Sequence, residues 1–270
     1  MMEIYFKKFI RRITYVTLFL LSGCVGQKED YEPAPKLETG VVSETGDSFF
    51  RRVLVTEFTA TWCVYCPDMK DALGKLTLST EGRIVEMAVH SLDDMSCEEG
   101  ESLAQSMDIT VWPTAVFNLD PLLKTGSSSE IILSSLAQDA MRLDRETCGI
   151  KVSSSLSGSV LEATVVVKTK AGGDYTVVTA IVEDEISGFQ AGRGNSYIHN
   201  NVLRDVLSSN ECALEPGGEH MVRIDSELDS ALLGKTLKMV VYVLNEPSHT
   251  VNNVVCTKIG DNGEYEYDKN

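Results

Sequence analysis

Residues 53–67 constrain the fold of this chain more than any other part of its sequence. They read Val-Leu-Val-Thr-Glu-Phe-Thr-Ala-Thr-Trp-Cys-Val-Tyr-Cys-Pro. The first half has the β-branched and aromatic residues of a strand. The pair Cys63 and Cys66 follows at once, and Pro67 suits the first turn of a helix. The pattern therefore places two thiols between a strand and the amino end of a helix, where a thiolate is stabilised.

Apolar residues continue at helical spacing directly after Pro67. They recur at i, i+3, i+4 and i+7: Met69, Ala72, Leu73 and Leu76. This spacing makes one apolar helical face, which Gly82 breaks. A second predicted strand, residues 84–89, ends at His90. Strand, helix and strand at this spacing predict a βαβ unit whose two strands are parallel.

Four further elements complete the first half of the chain. They are a helix, a strand, a short strand and a final helix: residues 97–107, 110–117, 122–125 and 127–141. The last helix begins with a capping-box match, Ser-Ser-Ser-Glu. Trp112 and Pro113 interrupt the third strand, and a proline there favours an edge, a bulge or a special peptide bond.

The order β-α-β-α-β-β-α, with a Cys-x-x-Cys after the first strand, resembles the thioredoxin superfamily. The residues that carry this resemblance are Glu57-Phe58, Trp62-Cys63-Val64-Tyr65-Cys66 and Pro113-Thr114. The resemblance implies an α/β thioredoxin-like domain over residues 49–147, with a mixed sheet and helices on both faces.

The resemblance also implies a role for each matching residue. Cys63 would be the exposed nucleophile, and Cys66 would resolve the mixed disulfide. Pro113 would be a cis-proline that faces the pair. Glu57 would be a buried acid that moves protons for the resolving cysteine, and its pKa should be raised by desolvation.

Three further residues are expected to support this site. Trp62 belongs to the motif itself, and Trp112 is bulky enough to narrow the substrate groove. His90 ends a parallel strand, so it should share a sheet edge with Cys63 and either tunes the thiolate or serves a structural role. Val64-Tyr65 replaces the Gly-Pro of thioredoxin, which leaves the redox direction open.

A zinc site is the competing interpretation of the cysteine pair. Such a site usually combines two Cys pairs, or one Cys pair with a His pair, and the sequence has no second pair. We therefore expect neither a metal nor a cofactor.

The second half of the chain, residues 148–260, changes to strand-like alternation. Short strands separated by turn signals predict an antiparallel, immunoglobulin-like β-sandwich. Residues 187–210 interrupt the strands as an irregular segment that contains the motif 197–204, Tyr-Ile-His-Asn-Asn-Val-Leu-Arg. This motif, with residues 237–243, resembles the "28-kDa outer membrane protein"-related lipoproteins of Bacteroidetes, in which a thioredoxin-like domain precedes a sandwich domain. Residues 261–270 are expected to form a loose polar tail.

The start of the chain has the features of an export signal. Four basic residues precede a short apolar run, and Leu-Ser-Gly-Cys follows it. We expect residues 1–23 to be a lipoprotein signal peptide, Cys24 to carry lipid and residues 24–48 to be a flexible tether. A plain signal peptide or a short anchor is the alternative. The expected location is the outer membrane, on its periplasmic or its surface face.

Charge and the remaining cysteines limit the partners. The formal net charge is −16 and no basic patch is visible, so we expect no nucleic-acid binding. An exported protein can form disulfides, and four cysteines remain whose pairing the sequence leaves open: Cys97, Cys148, Cys212 and Cys256.

The leading functional hypothesis is a lipid-anchored thiol–disulfide oxidoreductase of the cell envelope. Its partners would be protein thiols and disulfides, with the membrane contacted through the lipid on Cys24. The alternative is a surface-binding lipoprotein that uses the thioredoxin-like fold as a scaffold, because fold alone does not fix function.

Overall fold

The computed structural model describes residues 42–43, 46–142 and 145–268. All of them belong to one compact unit. The expected signal peptide, Cys24 and most of the expected tether lie outside the described residues. Within the described ranges, no helix is both long and apolar enough to cross a bilayer.

The first half of the chain contains five strands and three helices. They are β1 (Val42–Ser43), β2 (Val53–Thr59), α1 (Cys66–Ser79), β3 (Ile84–His90), α2 (Glu98–Ser106), β4 (Thr114–Phe117), β5 (Lys124–Thr125) and α3 (Glu130–Met141). Strands β2 and β3 are parallel, and β4 runs antiparallel to β2. Every residue of β2 is buried, as expected for a central strand covered on both faces.

The second half is almost entirely strands. They are β6 (Gly149–Ser157), β7 (Val160–Lys168), β8 (Gly173–Asp184), β9 (Ile186–Gln190), β10 (Gly194–His199), β11 (Val202–Leu214), β12 (Glu219–Glu227), β13 (Thr236–Asn245), β14 (Thr250–Lys258) and β15 (Tyr267–Asp268). Strands β12, β7 and β6 form a three-stranded antiparallel sheet. An apolar core joins this sheet to β8 and β13.

One eight-stranded sheet runs through both halves of the chain. Its strand order is β14-β13-β8-β11-β3-β2-β4-β5. The junction is β11 beside β3, where Val202 lies opposite Ala88 and the Ala88 N–H donates to the Asn201 carbonyl at 2.8 Å. The predicted division at residue 148 therefore does not separate two independent sheets.

Core packing also crosses the predicted division. A single apolar cluster contains Phe58 and Met87 from the first half and Val178 and Tyr242 from the second. A separate cluster lies between the sheet and the helices α1 and α3. The first half thus has helices α1 and α3 on one face and α2 on the other, next to the cluster that both halves share.

The prediction of an irregular segment over residues 187–210 is wrong. Strands β9 and β10 form an antiparallel hairpin, and β11 begins three residues after it. The hairpin is mostly exposed, so its sequence lacks the apolar alternation of a half-buried strand. Gly188, Gly192 and Gly194 further obscured the pattern.

The prediction of a loose tail after residue 260 is also wrong for the residues described. The Phe50 N–H donates to the Glu266 carbonyl at 2.8 Å, and Tyr267 stacks on Phe49 with ring centroids 4.9 Å apart. Asp268 forms a 2.6 Å ion pair with Arg83. Strand β15 pairs with β1, so residues 42–43 of the predicted tether lie in a strand. Arg83 and the other residues that contact this C-terminal segment are more than 180 residues away from it in sequence, so no local sequence pattern could predict these contacts.

Candidate active site

Cys63 and Cys66 form a disulfide with their Cα atoms 5.5 Å apart. Cys66 is the first residue of α1, and Pro67 occupies the first turn. Cys66 is 1% exposed and Cys63 is 5% exposed. The predicted exposure of Cys63 is therefore wrong for this disulfide form, although Cys63 is the more exposed residue of the two.

The tip of the β9–β10 hairpin covers the loop that carries Cys63. The side-chain amide of Gln190 donates to the Cys63 carbonyl at 2.8 Å and to the Ala60 carbonyl at 3.2 Å. The Ala191 N–H donates to the Thr61 carbonyl at 2.8 Å. These three hydrogen bonds hold a segment from the second half of the chain directly on the Cys-x-x-Cys loop.

Ion pairs fasten the same hairpin to helix α1. The Arg193 guanidinium lies 3.1 Å from an Asp68 carboxylate oxygen and 3.0 Å from one of Asp71. All three side chains are well exposed, so each pair contributes little stability alone. Their effect is to direct the hairpin tip towards the start of α1.

Two tryptophans and a cis-proline flank the disulfide. The Trp112–Pro113 peptide bond is cis, which is the geometry that the resemblance implies. Trp112 packs against Cys63 and Cys66, and it meets Trp62 edge to face with ring centroids 5.5 Å apart. The Trp62 indole N–H donates to the Ser91 carbonyl at 3.2 Å. Trp112 therefore occupies space directly beside the disulfide.

Glu57 lines a small cavity together with Cys66 and is 3% exposed. Burial raises the pKa of its carboxyl from 4.5 to about 7, and the nearby Lys70 ammonium only partly offsets this. Lys70 is itself paired with Glu86 at 2.5 Å. A carboxyl with a pKa near 7 can both accept and release a proton under physiological conditions.

The raised pKa predicts a pH dependence of stability. The unfolded carboxyl ionises near pH 4.5 and the folded one near pH 7, so the folded state binds more protons between these values. The free energy of unfolding should therefore fall by roughly 3 kcal/mol as pH rises across this window. Glu57→Gln removes the dependence. Urea unfolding of wild type and Glu57→Gln from pH 4 to pH 8 measures this pH dependence. If the two proteins differ in unfolding free energy by the same amount at every pH, the burial argument is contradicted.

His90 lines the same cavity as Cys66 and is buried. Its Nδ1 is 2.9 Å from a carboxylate oxygen of Asp93. Burial alone would raise the pKa of Asp93, but hydrogen bonds from His90 and from the Thr61 N–H outweigh it and lower this pKa. Because Asp93 also accepts from the Thr61 N–H at 2.7 Å, the His90–Asp93 pair is connected to the Cys-x-x-Cys loop.

A small cavity joins these residues to the second half of the chain. It is lined by Glu57, Cys66, Lys70 and His90, and also by Tyr197 and His199 of β10. The ring of His199 meets that of His90 edge to face at 5.3 Å and that of Tyr197 at 4.9 Å. No local sequence pattern assigned Gln190, Tyr197 or His199 to the site. The only signal was the motif 197–204, which did not specify what it contacts.

The four other described cysteines are unpaired in this structure: Cys97, Cys148, Cys212 and Cys256. Burial raises the pKa of the Cys97 thiol, and it raises that of Cys148 to about 12. Thiols with raised pKa values are poor nucleophiles at neutral pH. Among the residues that the structure describes, no group of three or more His, Cys, Asp and Glu side chains is arranged to hold a metal ion.

Comparisons with known proteins bear on the fold alone. No protein-family profile matches the chain, and no curated protein matches it. Among solved structures, HBP35 of Porphyromonas gingivalis, a Bacteroidetes protein, is 19% identical and matches with a TM-score of 0.67. The match covers 81% of this chain and 78% of that one. This chain therefore shares its fold with a Bacteroidetes protein.

Two further structural matches carry no argument, because their TM-scores are below 0.5. A structural-genomics protein from Agrobacterium tumefaciens is 15% identical with a TM-score of 0.49, over 80% of this chain and 97% of that one. A beta-glucosidase from Kluyveromyces marxianus in complex with glucose is 16% identical with a TM-score of 0.24, over 45% of this chain and 15% of that one.

Proposed function

We propose that this chain is a thiol–disulfide oxidoreductase of the cell envelope with a thioredoxin-like site. The observation that carries the proposal is the Cys63–Cys66 disulfide at the start of α1, where Cys66 shares a cavity with the buried Glu57 carboxyl, whose pKa is raised to about 7. The cis peptide bond before Pro113 gives further support. In this proposal Cys24 carries the lipid that anchors the protein to the outer membrane. Similarity to a Bacteroidetes protein supports kinship with the lipoproteins of that phylum.

The chemistry uses the two sulfurs in sequence. In the reduced protein, the Cys63 thiolate attacks a substrate disulfide and a mixed disulfide forms. Cys66 then attacks the Cys63 sulfur, which restores the Cys63–Cys66 bond and releases the substrate as a dithiol. The amino end of α1 favours negative charge on these sulfurs. The same steps in reverse donate a disulfide.

An assay of insulin disulfide reduction tests this proposal. We expect the purified full chain to accelerate reduction by dithiothreitol about tenfold or more, because a positioned thiolate exchanges faster than a free thiol. The reduction potential of the Cys63–Cys66 couple then assigns the direction. A strongly reducing value indicates a reductase and an oxidising value a disulfide donor. No acceleration by the wild-type chain would contradict the proposal.

The cover over the disulfide favours a second candidate. Gln190 and Ala191 hydrogen-bond to the Cys-x-x-Cys loop, and Cys63 is only 5% exposed. A disulfide covered in this way is also what a binding lipoprotein would have if it used the fold as a scaffold. That candidate requires partner binding to persist after both cysteines are replaced by serine.

A further inference from the structure

A larger cavity lies where the two halves of the chain meet, and it shares no lining residue with the small cavity beside Cys66. Its volume is about 490 Å³, within the range of about 300–1,000 Å³ that is usual for small-molecule sites. Helix α2 forms one wall, and strands β3, β8, β11 and β13 of the eight-stranded sheet form the other. Ligand sites are frequent at such junctions.

The sheet side of this cavity is apolar. Met87 and Leu203 line it, and each is almost fully buried. Val178 and Tyr242 lie opposite each other on β8 and β13, line the cavity and are buried as well. All four residues belong to the apolar cluster that both halves of the chain share. An apolar group that enters the cavity therefore packs on the surface of that cluster and leaves water.

Strand β11 is irregular where it forms the wall of the cavity. It pairs with β8, but the register shifts between Leu203 and Asp205 and again between Val206 and Ser208. Leu203 and Val206 both line the cavity. A bulge bends its strand and changes the direction of nearby side chains, and bulges are common beside functional sites. The two irregularities of β11 thus coincide with the cavity.

The exposed rim of the cavity is negatively charged. Glu98 and Glu99, in the first turn of α2, line the cavity and are exposed. Asp205 lies near Glu99, and burial together with repulsion from Glu99 raises the pKa of Asp205. None of these three carboxylates forms an ion pair within the described chain, and no described residue that lines the cavity is Lys, Arg or His. The rim therefore attracts a cation and repels an anion.

Tyr242 supplies an unused hydrogen-bonding group at the same cavity. Its side chain is only 6% exposed, yet its hydroxyl forms no hydrogen bond within the described chain. The hydroxyl oxygen is not among the fully enclosed polar atoms that lack a partner, so it keeps some open surface. Burial raises the pKa of this hydroxyl to about 12, which keeps it neutral at neutral pH. A neutral phenol can accept a hydrogen bond from an ammonium group.

We propose that this cavity binds an amphipathic amine, with the apolar body on the sheet side and the ammonium group held by the Tyr242 hydroxyl and the rim carboxylates. An ammonium group has three donors and no acceptor, which suits a site that offers acceptors and no competing cation. An anionic amphiphile of the same length fits the apolar side, but the rim repels it. The inference does not depend on the proposed thiol–disulfide chemistry, because the two sites share no residue.

Calorimetric titration of the full chain with decylammonium and with decanoate tests the proposal. The two probes have the same chain length and opposite head-group charge, and both are used below their micelle-forming concentrations. We expect decylammonium to bind at least about tenfold more tightly than decanoate, because the rim attracts one head group and repels the other. Added salt should reduce this difference in affinity. Equal affinities for the two probes, or no binding of decylammonium, would overturn the proposal.

Two variants assign the binding to residues of the cavity. Glu98→Gln combined with Glu99→Gln should weaken decylammonium binding by about fivefold or more, because the rim loses its charge. Tyr242→Phe removes only the hydroxyl and should weaken it by about threefold or more. The matched control, Glu162→Gln combined with Asp225→Asn, removes two acids from a cavity on the three-stranded sheet and should leave the affinity unchanged. Wild-type affinity in either test variant contradicts the proposed site.

NMR of isotope-labelled methionine methyl groups locates the bound probe. Decylammonium should shift the signal of Met87, which lines the cavity, and leave that of Met69, in the cluster between the sheet and helices α1 and α3. Ser209→Trp places a large side chain at an exposed position of the cavity and should abolish both the shift and the binding. If this variant does not fold, Ser102→Trp, at an exposed position of α2, fills the cavity from the other wall. An unmoved Met87 signal, or full binding to a folded tryptophan variant, would show that the probe binds elsewhere and that the proposal is wrong.

Discussion

Cys66→Ser is expected to trap substrate proteins on Cys63 as a stable mixed disulfide. In this variant the Cys63 thiolate still attacks a substrate disulfide, but no second thiol in the loop can release the product. We expect most of the reduced variant to convert to the adduct when mixed with a disulfide-bonded protein. Wild type, with Cys66 at the start of α1, should accumulate almost none. Non-reducing electrophoresis measures the adduct, and mass spectrometry locates its sulfur.

Two matched variants make this expectation specific. Cys63→Ser combined with Cys66→Ser should form no adduct, because the nucleophile is gone. Cys97→Ser combined with Cys66→Ser should form as much as Cys66→Ser alone, since burial raises the pKa of the Cys97 thiol and makes it a poor nucleophile. An adduct that maps to Cys97, or no adduct at all, would rule out the proposed role of Cys63.

The trapping experiment also distinguishes the two candidate functions. Cys63 is 5% exposed in the disulfide form, beneath the hairpin tip that carries Gln190. A substrate sulfur reaches Cys63 only if this cover shifts, and trapping shows that it does. A scaffold whose disulfide is purely structural would give no adduct, even after complete reduction of the Cys63–Cys66 bond.

Asn253→Ala is expected to lower the free energy of unfolding by about 4 kcal/mol. Asn253 is 2% exposed and joins the two halves of the chain. Its side chain accepts from the Arg52 N–H at 2.8 Å and donates to the Phe50 carbonyl at 3.1 Å and the Cys148 carbonyl at 2.8 Å. Its Oδ1 also accepts from the Val254 N–H at 2.9 Å, so truncation leaves four backbone groups without these partners, each at a cost of about 1–3 kcal/mol. Urea unfolding of the full chain measures the loss.

The same experiment tests the shared sheet. Because β11 pairs with β3 and one apolar cluster spans both halves, wild type and Asn253→Ala should each unfold in a single transition. Asn195→Ala, at an exposed position of β10, is the matched control and should change stability by less than about 0.5 kcal/mol. Two separate unfolding transitions would show that the two halves fold independently. If Asn253→Ala lowers the free energy of unfolding by less than about 1 kcal/mol, Asn253 does not link the halves.

The elements near the site were readable because their signals are local. The strand before Cys63 follows from its β-branched and aromatic residues, and the helix after Cys66 follows from apolar residues spaced three to four apart, a spacing that the backbone geometry imposes. The proline after Cys66 lies where a helix begins. In each case the interacting residues are close in sequence, so the sequence pattern records the structure directly.

The contacts that complete the site are not local. Gln190 and the Cys63 carbonyl are 127 residues apart, and Asn253 lies 203 residues from Phe50. The β9–β10 hairpin has no apolar alternation, because most of its surface faces solvent and its tip makes polar contacts. The buried strands of the second half showed their alternation, but alternation does not specify which neighbouring strand each one pairs with.

By itself, the sequence therefore determined that two cysteines lie between a strand and a helix start, near an acid and a proline suited to thiol chemistry. Only the tertiary structure decided that Cys63 is covered, that His199 and Glu57 line one cavity with Cys66, and that both halves share a sheet. The physical reason is that helix starts and strand periodicity depend on neighbours along the chain. Burial, pKa shifts and strand partners depend on groups that only folding brings together.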